Sequence, residues 1–175
     1  MAFVVQNDSG TAPGANAYID VGFFDNYHAD RGVDTSGFTE TQKQQAIVKA
    51  TDYVDARFIY VGERQNSYRI QTTEWPRLDA IDASQQLVQG IPYVIKRATA
   101  EYALLALTSD LMPAPPSDAS QRLVTSKREK VGPIEEETSY SATNAYTMPI
   151  YPLADRLVLA SGLARSSNVR NSVRT

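Results

Sequence analysis

The stretch TETQKQQAIVKATDYVDAR, Thr39 to Arg57, decides the fold class. Its opening, Thr39-Glu40-Thr41-Gln42, has the form of a capping box: the threonine hydroxyl accepts from an orphan amide while Gln42 reaches back to the amide of Thr39. Behind that cap Ala46, Ile47, Ala50, Tyr53 and Val54 recur at spacings of three and four, which is one apolar stripe of an α-helix running to about Arg57. Lys43, Gln44, Lys49, Asp52 and Asp55 take the other faces, where solvated charge is expected.

The same signals recur on either side. Upstream, Asp20 caps a short helix carrying Val21, Phe24, Tyr27 and His28, and Gly32 sits where it stops. Downstream, Ile91-Pro92 opens a helix expected to reach about Asp110, with Val94, Ile95, Ala98, Tyr102, Leu105 and Ala106 on one face. Leu104 and Leu107 broaden that face, so this helix belongs in the centre. Met112-Pro113-Ala114-Pro115-Pro116 ends it. A fourth helix, about Pro152 to Leu163, shows Leu153, Leu157 and Ala160 on one side.

Two segments break the helical pattern. Residues 58–90 have no periodicity and form a long connection, which must be functional or anchored by its own side chains. Its expected anchor is Glu74-Trp75-Pro76-Arg77, where Trp75 is the largest apolar body, Pro76 stiffens the chain and Arg77 adds a charge. Residues 123–140 read as a β-hairpin turning at Gly132-Pro133. That turn sets Lys130 opposite Glu135, Arg128 opposite Glu137 and, as a like-charge mismatch, Glu129 opposite Glu136. The expected architecture is therefore mainly α: a small bundle of about four helices with a protruding β-hairpin and a long loop. Residues 1–15 form an N-terminal arm or loop, 16–163 the domain, and 164–175 a C-terminal arm bearing Arg165, Arg170 and Arg174 with no acid.

Composition narrows the function. The chain has 175 residues, 42% hydrophobic and 21% charged, as a single globular domain would. Zero cysteines exclude disulfides, thiolate metal sites and thiol nucleophiles, and the one histidine, His28, is expected to pack beside the first helix. No phosphate loop, dinucleotide fingerprint or nucleophile elbow occurs, so no catalytic, metal or cofactor residue is assigned and no enzyme is expected. Neither a secretory signal nor a membrane-spanning run is present, and a soluble protein made and used without secretion is expected. A formal charge of -3 argues against a dedicated nucleic-acid binder. Lys127, Arg128 and Lys130 are answered within the same hairpin by Glu135, Glu136 and Glu137, which suits a self-neutralised ribbon, a protein contact or a nucleic-acid contact. The arginine tail cannot fold alone and is either loose or ordered by a partner. Ten tyrosines among sixteen aromatics exceed the needs of one small core and suggest interfaces.

Several segments in order carry a family resemblance. They are Ala15-Asn16-Ala17-Tyr18-Ile19-Asp20-Val21, Tyr27-His28-Ala29-Asp30-Arg31-Gly32, Ala50 to Phe58, Glu74-Trp75-Pro76-Arg77, Ile91-Pro92 with Ala98 to Ala103, Lys127 to Glu135, and Tyr151-Pro152. Together, over about residues 15 to 163, they resemble tailed-bacteriophage neck proteins, the head–tail connectors or adaptors, some of which are labelled DnaT-like single-stranded DNA-binding proteins. Gly22 and the polar insert Arg64 to Thr73 depart from that pattern, and no role is carried onto them.

The resemblance implies a structural virion subunit, assembled in the host cytoplasm, that forms a ring of twelve copies under the portal. Such a ring continues the DNA channel for genome ejection and docks the next neck or tail-terminator protein. It also implies that the arm of Arg165, Arg170 and Arg174 reaches the portal, with no cofactor, no membrane and no specific grip on the passing duplex. Twelve copies at -3 each carry a formal -36, which repels a polyanion. The alternative is a single-stranded DNA-binding module, which needs aromatic platforms beside a basic groove. The tyrosines supply rings, but no basic groove is visible in the sequence.

Overall fold

The structure, a computed structural model, describes residues 2–113, 124–130, 135–140 and 149–166. Four α-helices carry it: α1 (Val21–Ala29), α2 (Glu40–Arg57), α3 (Tyr93–Ala106) and α4 (Pro152–Ala160). Each starts where its cap dictates. The Asp20 carboxylate accepts from Phe23 N at α1, and both hydrogen bonds of the Thr39–Gln42 capping box form at α2. At α3 the carbonyl of Pro92 accepts from Ile95 N and Lys96 N, and Pro152 opens α4 at its first turn.

Helix α3 is central, packing on α2, α4 and α1. The stripe expected on α2 is buried throughout, and Ile95, Ala98, Tyr102 and Ala103 of α3 are buried with it. Alanines at 46, 50, 98, 100 and 103 are all fully or nearly fully buried and let the helix backbones approach closely.

Three expectations need correction. Helix α3 ends at Ala106, with Leu107 as its C-cap, rather than at Asp110, and Leu104 to Leu107 are only half-buried. Helix α4 ends at Ala160, because Gly162 takes a positive φ of 73° two residues on. Its buried face is Ala154, Asp155 and Val158, while Leu153 is 60% exposed. A buried aspartate had displaced the apolar stripe by one position.

Three short antiparallel pairs complete the fold. Strands β1 (Phe58–Tyr60) and β6 (Ala164–Ser166) pair with Ile59 opposite Arg165, and β2 (Glu63–Arg64) pairs with β3 (Arg77–Leu78). Strands β4 (Val124–Lys130) and β5 (Glu135–Tyr140) form the expected hairpin in the expected register, Arg128 opposite Glu137, Glu129 opposite Glu136 and Lys130 opposite Glu135. The turn at Gly132-Pro133 lies outside the described residues. The chain divides into two compact units: Met1–Leu111 with Ile150–Thr175, and Met112–Pro149, which contains the hairpin.

The first residues form a loop closed on the domain. Gln6 N donates to Ala17 O and Asn16 N to Val4 O, and Gln6 is buried. Gly62, between β1 and β2, shows how tightly the long connection folds. Its φ is +71°, and an added Cβ would stand 2.2 Å from the carbonyl oxygen of Leu78 and 2.8 Å from Ala80 N. Gly62→Ala is therefore expected to lose about 1–3 kcal/mol or more, read as an earlier denaturant midpoint at unchanged slope.

Candidate functional site

The anchor of the long connection is as expected at its centre. Trp75 is fully buried, with its ring edge-on to Tyr60 at 5.6 Å, and its peptide bond to Pro76 is cis. Arg77 closes the loop by donating from Nε to Val61 O at 2.8 Å and from Nη2 to Gly62 O at 2.7 Å, and its Nη1 pairs with Glu74 at 2.6 Å. Pro76 O accepts from Gln65 N, and the fully buried Gln71 donates to the carbonyls of Thr73 and Pro76. Glu74 also pairs with Arg64, whose guanidinium lies 3.5 Å from the ring centre of Tyr68. The residues of the polar insert thus hold the connection together from inside.

Asp55 ties this connection to α2, contrary to its expected solvated position. It accepts from the Tyr18 hydroxyl and from Glu74 N at 3.0 Å. Burial pushes its carboxyl up to about 7, against the pull of those two hydrogen bonds and of Arg64, while Glu74 pushes the same way as burial. A carboxyl near 4 when unfolded and near 7 when folded is neutral in both states below pH 4 and costs most once ionised above pH 7. The protein is therefore expected to lose stability through this group as pH rises from about 4 to 7, on the order of 2–4 kcal/mol. Chemical denaturation of the wild type and Asp55→Asn at pH 4.5 and 8 checks this: the stability of the variant relative to wild type rises with pH.

A second buried acid was invisible to periodicity. Asp155 of α4 accepts from Arg57 Nε at 2.7 Å and Nη2 at 2.6 Å, and from the hydroxyl of Tyr102. Arg57 also donates to the Tyr53 hydroxyl, and the rings of Tyr53, Tyr102 and Tyr151 meet edge to face at 5.0–5.8 Å. Burial, then the Asp155 hydrogen bond and charge, hold the Tyr102 phenol far above its usual range. Lys43, placed on a solvated face by its spacing, is likewise buried, with Nζ 2.6 Å from Asp25.

These contacts revise the tyrosine surplus. Tyr18, Tyr27, Tyr53, Tyr60 and Tyr102 are core residues, and each hydroxyl is satisfied, by Asp55, Glu101, Arg57, the Val54 carbonyl and Asp155 in turn. Half of the ten are therefore spent inside, while Tyr68 is 76% and Tyr93 63% exposed. On the surface of α1 and α3, Tyr93 meets Phe23 edge-on at 5.9 Å, Phe23 stacks on Tyr27 at 6.2 Å, and Arg31 lies 3.5 Å over the Tyr27 ring.

Among the expected contact residues, Arg165 is exposed in β6, while Arg170 and Arg174 lie outside the described residues. Lys127, Arg128, Lys130, Glu135, Glu136 and Glu137 all lie in the hairpin strands. His28 is buried, with Nε2 3.1 Å from Ala100 O, as a packed histidine would be. Among the described residues no three His, Cys, Asp or Glu side chains are placed to hold a metal ion, and no helix is long and apolar enough to cross a membrane.

No curated protein and no solved structure matches the chain. One family model does, over residues 1–174, and its description is "Putative DnaT-like ssDNA binding protein". A match over nearly the whole length, spanning helices, connection and hairpin alike, places this chain in that DnaT-like family.

Proposed function

We propose that this chain is a structural head–tail connector subunit of a tailed-phage virion, a ring member that docks on the portal and the next neck protein. The observation that carries the proposal is the β4–β5 hairpin. Seven of its thirteen strand residues are charged, and Val124 and Tyr140 are its only large apolar ones. A two-stranded ribbon is marginal alone in water, and the many charges of this one suit it to a partner surface of complementary charge. The ordered segments that resemble those of neck proteins support the same function.

Sedimentation and electron microscopy of the chain mixed with its portal test it. A closed ring seated on the portal is expected, and a monomer that never joins the portal overturns it. The pairing of β6 with β1 also sharpens the test of the C-terminal arm, because a cut at Ala164 would remove a strand. Truncation after Ser166 is expected to leave the thermal midpoint unchanged and to weaken portal attachment, checked by calorimetry and co-sedimentation.

A second function, single-stranded DNA binding, is favoured by the family's description and by the aromatic surface of α1 and α3. Salt-dependent binding of an oligonucleotide is its test; no binding near 50 mM salt ends it.

A further inference from the structure

We infer that the face formed by Tyr93, Phe23, Arg31 and the Lys96-Arg97 pair is a base-stacking site for single-stranded nucleic acid. The inference rests on the second function above and assigns it to residues. Stacking sites of this kind combine aromatic rings, to which every base can offer a face, with cations that track the phosphates. Both ingredients converge here from distant parts of the chain. Tyr93, the first residue of α3, holds an exposed ring against the half-buried Phe23 of α1. Phe23 is backed in turn by the buried Tyr27, so the row is fixed before any ligand arrives.

The cations flank this row. Arg31 is exposed, its guanidinium held over Tyr27 by a 2.6 Å hydrogen bond to the Tyr27 carbonyl. Lys96 and Arg97, both half-buried, follow Tyr93 by three and four residues on α3, the spacing that shares a helix face, and Arg97 also hydrogen-bonds the Tyr27 side chain. The acids nearby are committed or offset: Asp20 caps α1, Glu101 accepts from the Tyr27 hydroxyl, and Asp8 stands 3.9 Å from Lys96. Asp30 is exposed at the end of α1. Three cations against these four carboxylates leave the face at a formal -1, so stacking rather than phosphate neutralisation supplies the affinity. Among the described residues Tyr68 is the other exposed ring, but it stacks on an Arg64 already paired with Glu74 and has no second ring beside it among the described contacts.

Fluorescence anisotropy of a labelled thymidine oligomer with the full chain tests the site. Wild type is expected to bind with a logarithmic salt slope of magnitude about 2 or less, three phosphate contacts at most. Tyr93→Ala is expected to weaken binding about 5- to 150-fold, while Tyr93→Phe and Tyr68→Ala stay within about twofold of wild type. Circular dichroism checks that each variant is folded. Binding that survives Tyr93→Ala overturns the site while leaving single-strand binding standing. Binding lost in Tyr68→Ala alone does the same. A wild type that binds nothing at about 50 mM salt removes the function and the site together, and a folded Tyr93→Ala that binds DNA normally but fails to self-associate makes the face a protein contact.

Discussion

Asp155→Ala is expected to cost about 3–5 kcal/mol, the usual loss when one member of a buried ion pair is removed and its partner is left charged. For a chain of this size that lowers the thermal midpoint by about 6–20 °C. The mechanism is specific. Arg57 loses both its bidentate hydrogen bonds, and the Tyr102 hydroxyl, fully enclosed, loses its acceptor. Desolvated donors with no partner cost more than a methyl group's packing restores. Asp155→Asn separates the parts, because its amide oxygen still accepts from one donor while the charge is gone, and its loss should fall between alanine and wild type. The pair Arg57→Met with Asp155→Leu should recover most of the stability, since two apolar side chains of similar volume replace two charges at little net cost. If the double variant is no better than Asp155→Ala alone, the loss comes from packing at α4 and not from the broken Arg57–Asp155 pair.

Trp75→Ala is the second large effect, about 3–5 kcal/mol from lost burial and the cavity left behind. The loss falls on one segment. Trp75 holds Tyr60 of β1 by its ring, its amide donates to Tyr18, and its carbonyl accepts from Thr73. Residues 61–80 should open first, so their amides should show the largest gain in hydrogen exchange while those of α2 and α3 change least. Trp75→Phe should cost markedly less than alanine. It keeps an aromatic body and removes the indole Nε1, a buried donor without a hydrogen-bond partner among the described contacts. Equal losses for phenylalanine and alanine would mean that shape at this site outweighs burial.

These two residues also mark what a sequence can and cannot disclose. Trp75 was legible because size alone commits an indole to the interior when the surrounding chain is polar. The helix starts at Asp20 and Thr39 were legible because a cap is a local bargain between residues three apart. The hairpin register followed from its turn for the same reason. Asp155, Asp55 and Lys43 were not, because periodicity assigns a charge outward by default. What draws each inside is a partner far along the chain: Arg57 and Tyr102 for Asp155, Tyr18 for Asp55, Asp25 for Lys43. Displacing one acid onto the inner face was enough to put Leu153 outside and Ala154 and Val158 inside. The stacking face was hidden likewise, since Phe23 and Tyr93 meet only after α1 has packed on α3. The proportion of tyrosine was the one available hint, and it pointed mostly inward, to a core that uses phenol hydroxyls as tethers for its acids.

The hydrogen bond from the Tyr151 hydroxyl to Leu111 O, 3.0 Å long, bears on how such a chain can diversify. It joins the two points where the helical unit is interrupted, the residue before Met112 and the one after Ile150. An insertion whose ends are already clasped by its host imposes little on the host beyond loop-closure entropy. That entropy grows only with the logarithm of length, by about 0.6 kcal/mol for each doubling. Lengthening or shortening the segment between Leu111 and Ile150 is therefore expected to move the denaturant midpoint of the helical unit only slightly.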